Sequence, residues 1–207
     1  YQEVTGVQTC ALPIFEGMCH TYIDKDINLE MAKKIVVNAK LRNTSICGAT
    51  ETLLIHKKNS KFITNILNEL TKNGCVIYAD RKIKNLYKGK SKLAIAKVWS
   101  TEFLSAKISV KFVNNIKEAI NHINKYGTMH TDAIISKNKF SAKYFIKNVK
   151  SSIAIHNSST QFADGGEFGF GGEVGISTNK LPPRGPVGLS QLVSYKYEIY
   201  GSGQIRK

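Results

Sequence analysis

Residues 106–136 read AKISVKFVNNIKEAINHINKYGTMHTDAIIS. Three patterns follow one another along this stretch. Ile108, Val110 and Phe112 alternate with other residues over 106–113, the period of a half-buried strand. Ile116, Ala119, Ile120 and Ile123 then recur at helical spacing, and Gly127 closes the run. Residues 131–136 return to a short strand pattern. Strand, helix and strand in that order read as a β-α-β unit, whose crossover leaves the two strands parallel.

The alternation continues outward in both directions. Toward the N-terminus, Leu29, Ala32, Ile35, Val36 and Ala39 predict a helix over 28–41, and 52–55 a strand. Phe62, Ile63, Ile66, Leu67 and Leu70 share one helical face over 61–72, which Asn73-Gly74 ends before a strand at 75–78. Toward the C-terminus, 140–149 read as a helix and 152–156 as a strand. This succession predicts an α/β domain with a largely parallel sheet. The character changes after His156, where 161–175 are glycine-rich and LPPRGP follows at 181–186. Residues 192–200, LVSYKYEIY, read as one exposed strand, an edge in need of a partner such as a second subunit.

The chain has 207 residues, 42% of them hydrophobic and 22% charged, ordinary values for a globular protein of one or two domains. Its apolar runs, such as 35–37 and 52–55, are far too short to span a membrane, and the N-terminus lacks a secretory-signal pattern. The net charge of +15 invites a nucleic-acid or other basic binding-module reading. Against it, only Arg42, Arg81, Arg184 and Arg206 of the 30 basic residues are arginine, and the lysines are spread along the chain. Phosphate and base-edge recognition favours arginine, so a solvated lysine-rich surface explains the charge better.

The four cysteines, Cys10, Cys19, Cys47 and Cys75, show no CxxC spacing, so no metal site and no disulfide is expected, as in a reducing cytoplasm. Cys47 sits in TSICGATETLLIH, a polar turn leading into a strand. Read alone, a lone cysteine is more often a small buried apolar residue than a nucleophile. Residues 169–175, GFGGEVG, fall short of a dinucleotide fingerprint because Val174 stands where the third glycine belongs. Residues 4–14, VTGVQTCALPI, resemble the translation of a sequencing-library adaptor. On that reading 1–14 are an artefact, Cys10 means nothing, and native sequence is missing upstream.

Five blocks in order carry a more specific likeness: ICGATETLLIH, TEFLSAKISVKFV, HINKYGTMHTDAI, HNSSTQFADGGEFGFGGEVGIST and KLPPRGPVGL. Together they resemble the gamma-glutamyl phosphate reductase (glutamate-5-semialdehyde dehydrogenase) family of the aldehyde dehydrogenase superfamily. The resemblance implies an aldehyde dehydrogenase-like catalytic domain over 15–156. It further implies a return to a largely missing NADP-binding domain over 157–189, and an oligomerisation strand over 190–207. It implies NADPH-dependent reduction of L-glutamyl 5-phosphate to the semialdehyde in proline biosynthesis, in the cytoplasm. The product would be a homo-oligomer with glutamate 5-kinase as a possible partner, without nucleic acid or membrane, and this fragment alone would be inactive. An aldehyde dehydrogenase for another acyl donor is the alternative enzyme.

By the same resemblance Cys47 matches the nucleophile, which requires a lowered thiol pKa and oxyanion donors such as its own N–H. Glu102 matches the glutamate that holds the cofactor ribose, with a solvated acid as the plainer reading. His130, Asn157, Ser159, Thr160 and Arg184 are candidates for substrate binding. The loop three follow a strand end, where ligands of α/β sheets collect. For each, a purely structural hydrogen-bonding role is the competing reading.

Overall fold

The computed structural model describes residues 17–206, so the adaptor-like 1–14 and Cys10 lie outside the described residues. Strands β1 (Cys19–Ile23), β2 (Thr50–His56), β3 (Val76–Ala79), β4 (Lys92–Leu93), β5 (Lys107–Val113), β6 (Thr131–Ile135) and β7 (Ile153–His156) alternate with helices. The helices are α1 (Leu29–Leu41), α2 (Ile63–Lys72), α3 (Arg81–Leu86), α4 (Ile116–Tyr126) and α5 (Lys139–Asn148). Each of these seven strands pairs parallel with its neighbours in the order β4-β3-β5-β2-β1-β6-β7. A short antiparallel hairpin, β8 (Glu173–Ser177) and β9 (Gly185–Gly188), forms a second sheet.

The helices begin where short polar side chains satisfy their free N–H groups. Asn28 accepts from Met31 N, Asn115 from Glu118 N and Asn138 from Ser141 N. Their apolar stripes then bury on opposite faces of the sheet. Ala32 and Val36 of α1, with Ile66, Leu67 and Leu70 of α2, cover Ile23, Leu53, Ile55, Ile77 and Val110. Ala119, Ile120 and Ile123 of α4, with Ala142 and Phe145 of α5, cover Tyr22, Leu54 and Ile134. This double cover explains why β5 departs from its half-buried expectation: only Lys107 in it is exposed.

Two further departures follow from tertiary context. β1, CHTYI, does not stand out in sequence because His20 and Thr21 interrupt its apolar run, yet all five of its residues are buried. His20 is accommodated by Asp132 of the neighbouring strand, 2.9 Å from its Nδ1. Residues 192–200 join no strand among the described residues, and Tyr195, Tyr197, Ile199 and Tyr200 stand exposed. Among the described residues no helix is long and apolar enough to cross a membrane.

Candidate active site

Cys47 lies in the connection between α1 and β2, just before the N-terminal end of β2. Other segments gather at that same edge: Gly17 before β1, Glu102 before β5, and His130 before β6. The site therefore sits at the opposite edge from the strand C-termini where ligands of open α/β sheets usually collect. Residues after β7 reach it only because the chain doubles back. Asn157 adopts φ 55°, and Thr160–Phe162 then packs as a turn against α1, β1 and β6.

A buried ion pair holds the Cys47 connection at both ends. Lys40 in the last turn of α1 donates to Glu51 of β2 at 2.8 Å, and both side chains are almost wholly inaccessible. Glu51 also accepts from Leu104 N at 3.4 Å, which ties the Glu102 segment to the same point. Burial pushes the Glu51 carboxyl up, and the Lys40 charge and hydrogen bond hold it back. Beneath the connection, a chain of buried hydroxyls joins Thr21, Thr50 and Thr160 at 2.7 and 3.0 Å.

The Cys47 backbone is gripped from two directions. Cys19 Sγ donates to Cys47 O at 3.1 Å. Gly17 packs so closely that an added Cβ would stand 2.0 Å from Cys47 O. Gly17 N in turn donates to Glu102 Oε1 at 2.9 Å. The thiol faces a cleft of about 310 Å³ lined by Arg42, Gly48, Gln161, Asp164, Glu167 and Glu173 among others.

The electrostatics differ from expectation. Burial, then the charges of Glu173 and Glu102, push the Cys47 thiol above its ordinary value. The backbone N–H groups of Cys47 and Gly48 pull it back, but do not outweigh those effects. So within this chain the thiol is not lowered: burial raises it most, and the carboxylates beside it add to that effect. Glu173 is itself pushed up by burial and by Asp164, against the Gly165 N–H. Its Oε2 is buried and has no hydrogen-bond partner among the described residues.

The other expected residues fall into distinct groups. Glu102 is brought to Cys47 through Gly17, whose N–H donates to it and whose backbone packs on Cys47 O. Asn157 and Ser159 line a cavity beside the cleft. Both Asn157 amide groups are nonetheless spent on Ser136 backbone, and Ser159 Oγ accepts from Gln161 N. Thr160 is wholly buried in the hydroxyl chain. His130 lies behind the Cys47 connection, its Nδ1 2.9 Å from Thr131 Oγ1 and 3.5 Å from Cys19 Sγ. Burial drives its pKa down to about 4, so it is neutral. Arg184 donates to Lys150 O and tethers the β8–β9 loop to the turn before β7, away from the cleft.

Four residues at the cleft lie outside those sequence expectations: Arg42, Gln161, Glu167 and Glu173. Three of them stand inside the quoted glycine-rich block, and Arg42 is one of only four arginines in a lysine-rich chain. Among the described residues no cluster suited to a metal ion is found.

No family model matches the chain. A curated gamma-glutamyl phosphate reductase from Brucella suis biovar 1 is 48% identical over 98% of this chain and 49% of its own length. The solved gamma-glutamyl phosphate reductase of Thermotoga maritima superposes with a TM-score of 0.90 at 37% identity, covering 100% of this chain and 51% of that one. An acetylating aldehyde dehydrogenase from Geobacillus thermoglucosidasius shares the fold at a TM-score of 0.72 and 15% identity, over 100% of this chain and 56% of that one. The chain spans about half the length of the curated relatives it matches. With its ordered sequence blocks, parallel sheet and edge-mounted cysteine, the chain is similar over nearly its whole length to gamma-glutamyl phosphate reductases and has an aldehyde dehydrogenase-like fold.

Proposed function

We propose that the gene product carrying this chain reduces L-glutamyl 5-phosphate to glutamate 5-semialdehyde, with Cys47 as the nucleophile. The observation that carries this reading is the placement of the thiol: it opens on a cleft while its backbone is gripped from behind. The thiolate attacks the acyl carbon, and the carbonyl electron pair moves onto oxygen. The N–H groups of Cys47 and Gly48, which face the sulfur, are placed to stabilise that oxyanion. Its collapse expels phosphate and leaves a thioester on Cys47. A nicotinamide cofactor, when bound, supplies the hydride that brings the thioester to the aldehyde level. The C–S bond then breaks, returning the thiolate and releasing the semialdehyde.

Glu102 is the residue of this chain that fits the cofactor. One carboxylate oxygen is held by Gly17 N, and the other is free to accept ribose hydroxyls. NADPH is the form the reading requires. His130, Thr160 and Arg184 support the fold around this site rather than touch substrate, whereas Asn157 and Ser159 contribute to a cavity wall. The exposed apolar tail from Leu192 onward pairs with a second copy.

The test is genetic. The complete gene should restore growth of a proline auxotroph without proline, and Cys47→Ala should abolish that rescue. Growth of the Cys47→Ala strain would remove the nucleophile assignment.

A further inference from the structure

A second cavity, of about 360 Å³, lies between α1 and the segment after β7. Lys34, Asn38 and Arg42 face it from α1, and Ser158, Phe162 and Glu167 from the other side. It adjoins the Cys47 cleft, because Arg42, Gln161 and Glu167 line both. The two openings therefore share part of one wall.

The walls are charged in a particular way. Among the described residues Lys34, Arg42 and Glu167 join no ion pair, although Lys33, Lys40 and Lys72 all do. Arg42 makes one side-chain hydrogen bond, from Nη1 to Gln161 Oε1 at 3.2 Å. Gln161 is itself fixed, its Nε2 donating to Ala39 O at 3.0 Å and Asn43 O at 3.1 Å. The guanidinium is thus held by one edge with its remaining donors unused, the arrangement that favours bidentate capture of a carboxylate. Facing cations and a lone carboxylate suit a ligand that carries both charges.

We propose that this cavity binds the α-amino-acid head of the substrate: Arg42 and Lys34 take the α-carboxylate, and Glu167 takes the α-ammonium. The proposal rests on the reductase reading for the identity of that substrate. It accounts for specificity, since a simple aldehyde lacks both head groups and gains nothing from the cavity. The reacting carbon then lies at Cys47 while the head is held beyond Arg42.

Two measurements on the complete gene product test this. In the reverse reaction, Arg42→Ala should raise KM for glutamate 5-semialdehyde by at least tenfold. The accompanying changes in KM for phosphate and in the turnover of butanal should be at least threefold smaller than that rise. Arg42→Lys should recover part of the loss, and Glu167→Gln should raise the same KM. A rise in KM for phosphate instead, or an equal loss with butanal, overturns the proposal. The second measurement needs no turnover: calorimetric titration with L-glutamate should show binding that Arg42→Ala weakens at least tenfold. Failure of glutamate semialdehyde to react while L-glutamate still binds would sink the reductase reading and keep the cavity. Absence of L-glutamate binding, or binding indifferent to Arg42→Ala, overturns the cavity assignment itself.

Discussion

The connection that carries Cys47 and the tail beyond Leu192 are both irregular chain, yet they are held in opposite ways. The first is anchored by a buried ion pair, a line of hydroxyls, a thiol and a glycine backbone. The second has exposed aromatic and apolar side chains and joins no strand among the described residues. A loop becomes a rigid platform when its polar groups find buried partners, and regular secondary structure is not required for that. The tail has the β-rich composition of a strand but lacks a partner strand among the described residues.

The largest effect should come from breaking the anchor. Lys40→Met leaves Glu51 buried without its cation and should cost ~3–5 kcal/mol, the usual penalty for stranding one member of a buried pair. Denaturant unfolding measures it, and a Lys40→Met/Glu51→Leu double variant should recover most of the loss. A single variant as stable as the parent would mean that the pair does not hold the connection.

Acid should loosen the same half of the molecule next. His122 is driven down to about 3 by burial and by the charges of His20, Lys111 and Lys125, and His130 to about 4 by burial. A histidine depressed in the folded state binds its proton more readily when unfolded. Its stabilisation is complete above the ordinary value near 6.5 and is lost as pH falls toward the folded value. At pH 5 each should have forfeited about 2 kcal/mol relative to neutral pH. His122→Phe should flatten part of that decline in an unfolding series between pH 7 and 5.

A smaller effect concerns the thiol. Because Glu173 helps to push Cys47 up, Glu173→Gln should move the midpoint of its pH-dependent alkylation by iodoacetamide downward. An unmoved midpoint would assign the raised value to burial and Glu102. Least of all should change on truncating the tail after Gln191: subunit stability should shift by no more than about 0.5 kcal/mol. The same truncation should lower the oligomer size in light scattering, and an unchanged size would leave the tail without its proposed partner strand.

The sequence exposes the helices well, because asparagine caps and apolar stripes at helical spacing are local signals. α4 begins after Asn115 and ends at Tyr126, as the spacing of Ile116, Ala119, Ile120 and Ile123 predicts. It hides β1, whose polar residues are tolerated only by partners such as Asp132 and Thr50 on neighbouring strands. Cys47 is legible from its block, while the raised thiol is not, since Glu102 and Glu173 lie far away in sequence. Arg42 and Gln161 meet only because the chain doubles back after β7, a tertiary event with no periodicity to announce it.

The contact of Gly17 with the Cys47 carbonyl bears on how this gene tolerates change. Any side chain at 17 starts with a Cβ 2.0 Å from Cys47 O, so even alanine must displace the Cys47 backbone. Gly172 has no heavy atom within 4 Å of its virtual Cβ and no left-handed φ. In a library of every single substitution, position 172 should fill with survivors and position 17 should stay empty, although neither codon encodes a group that reacts.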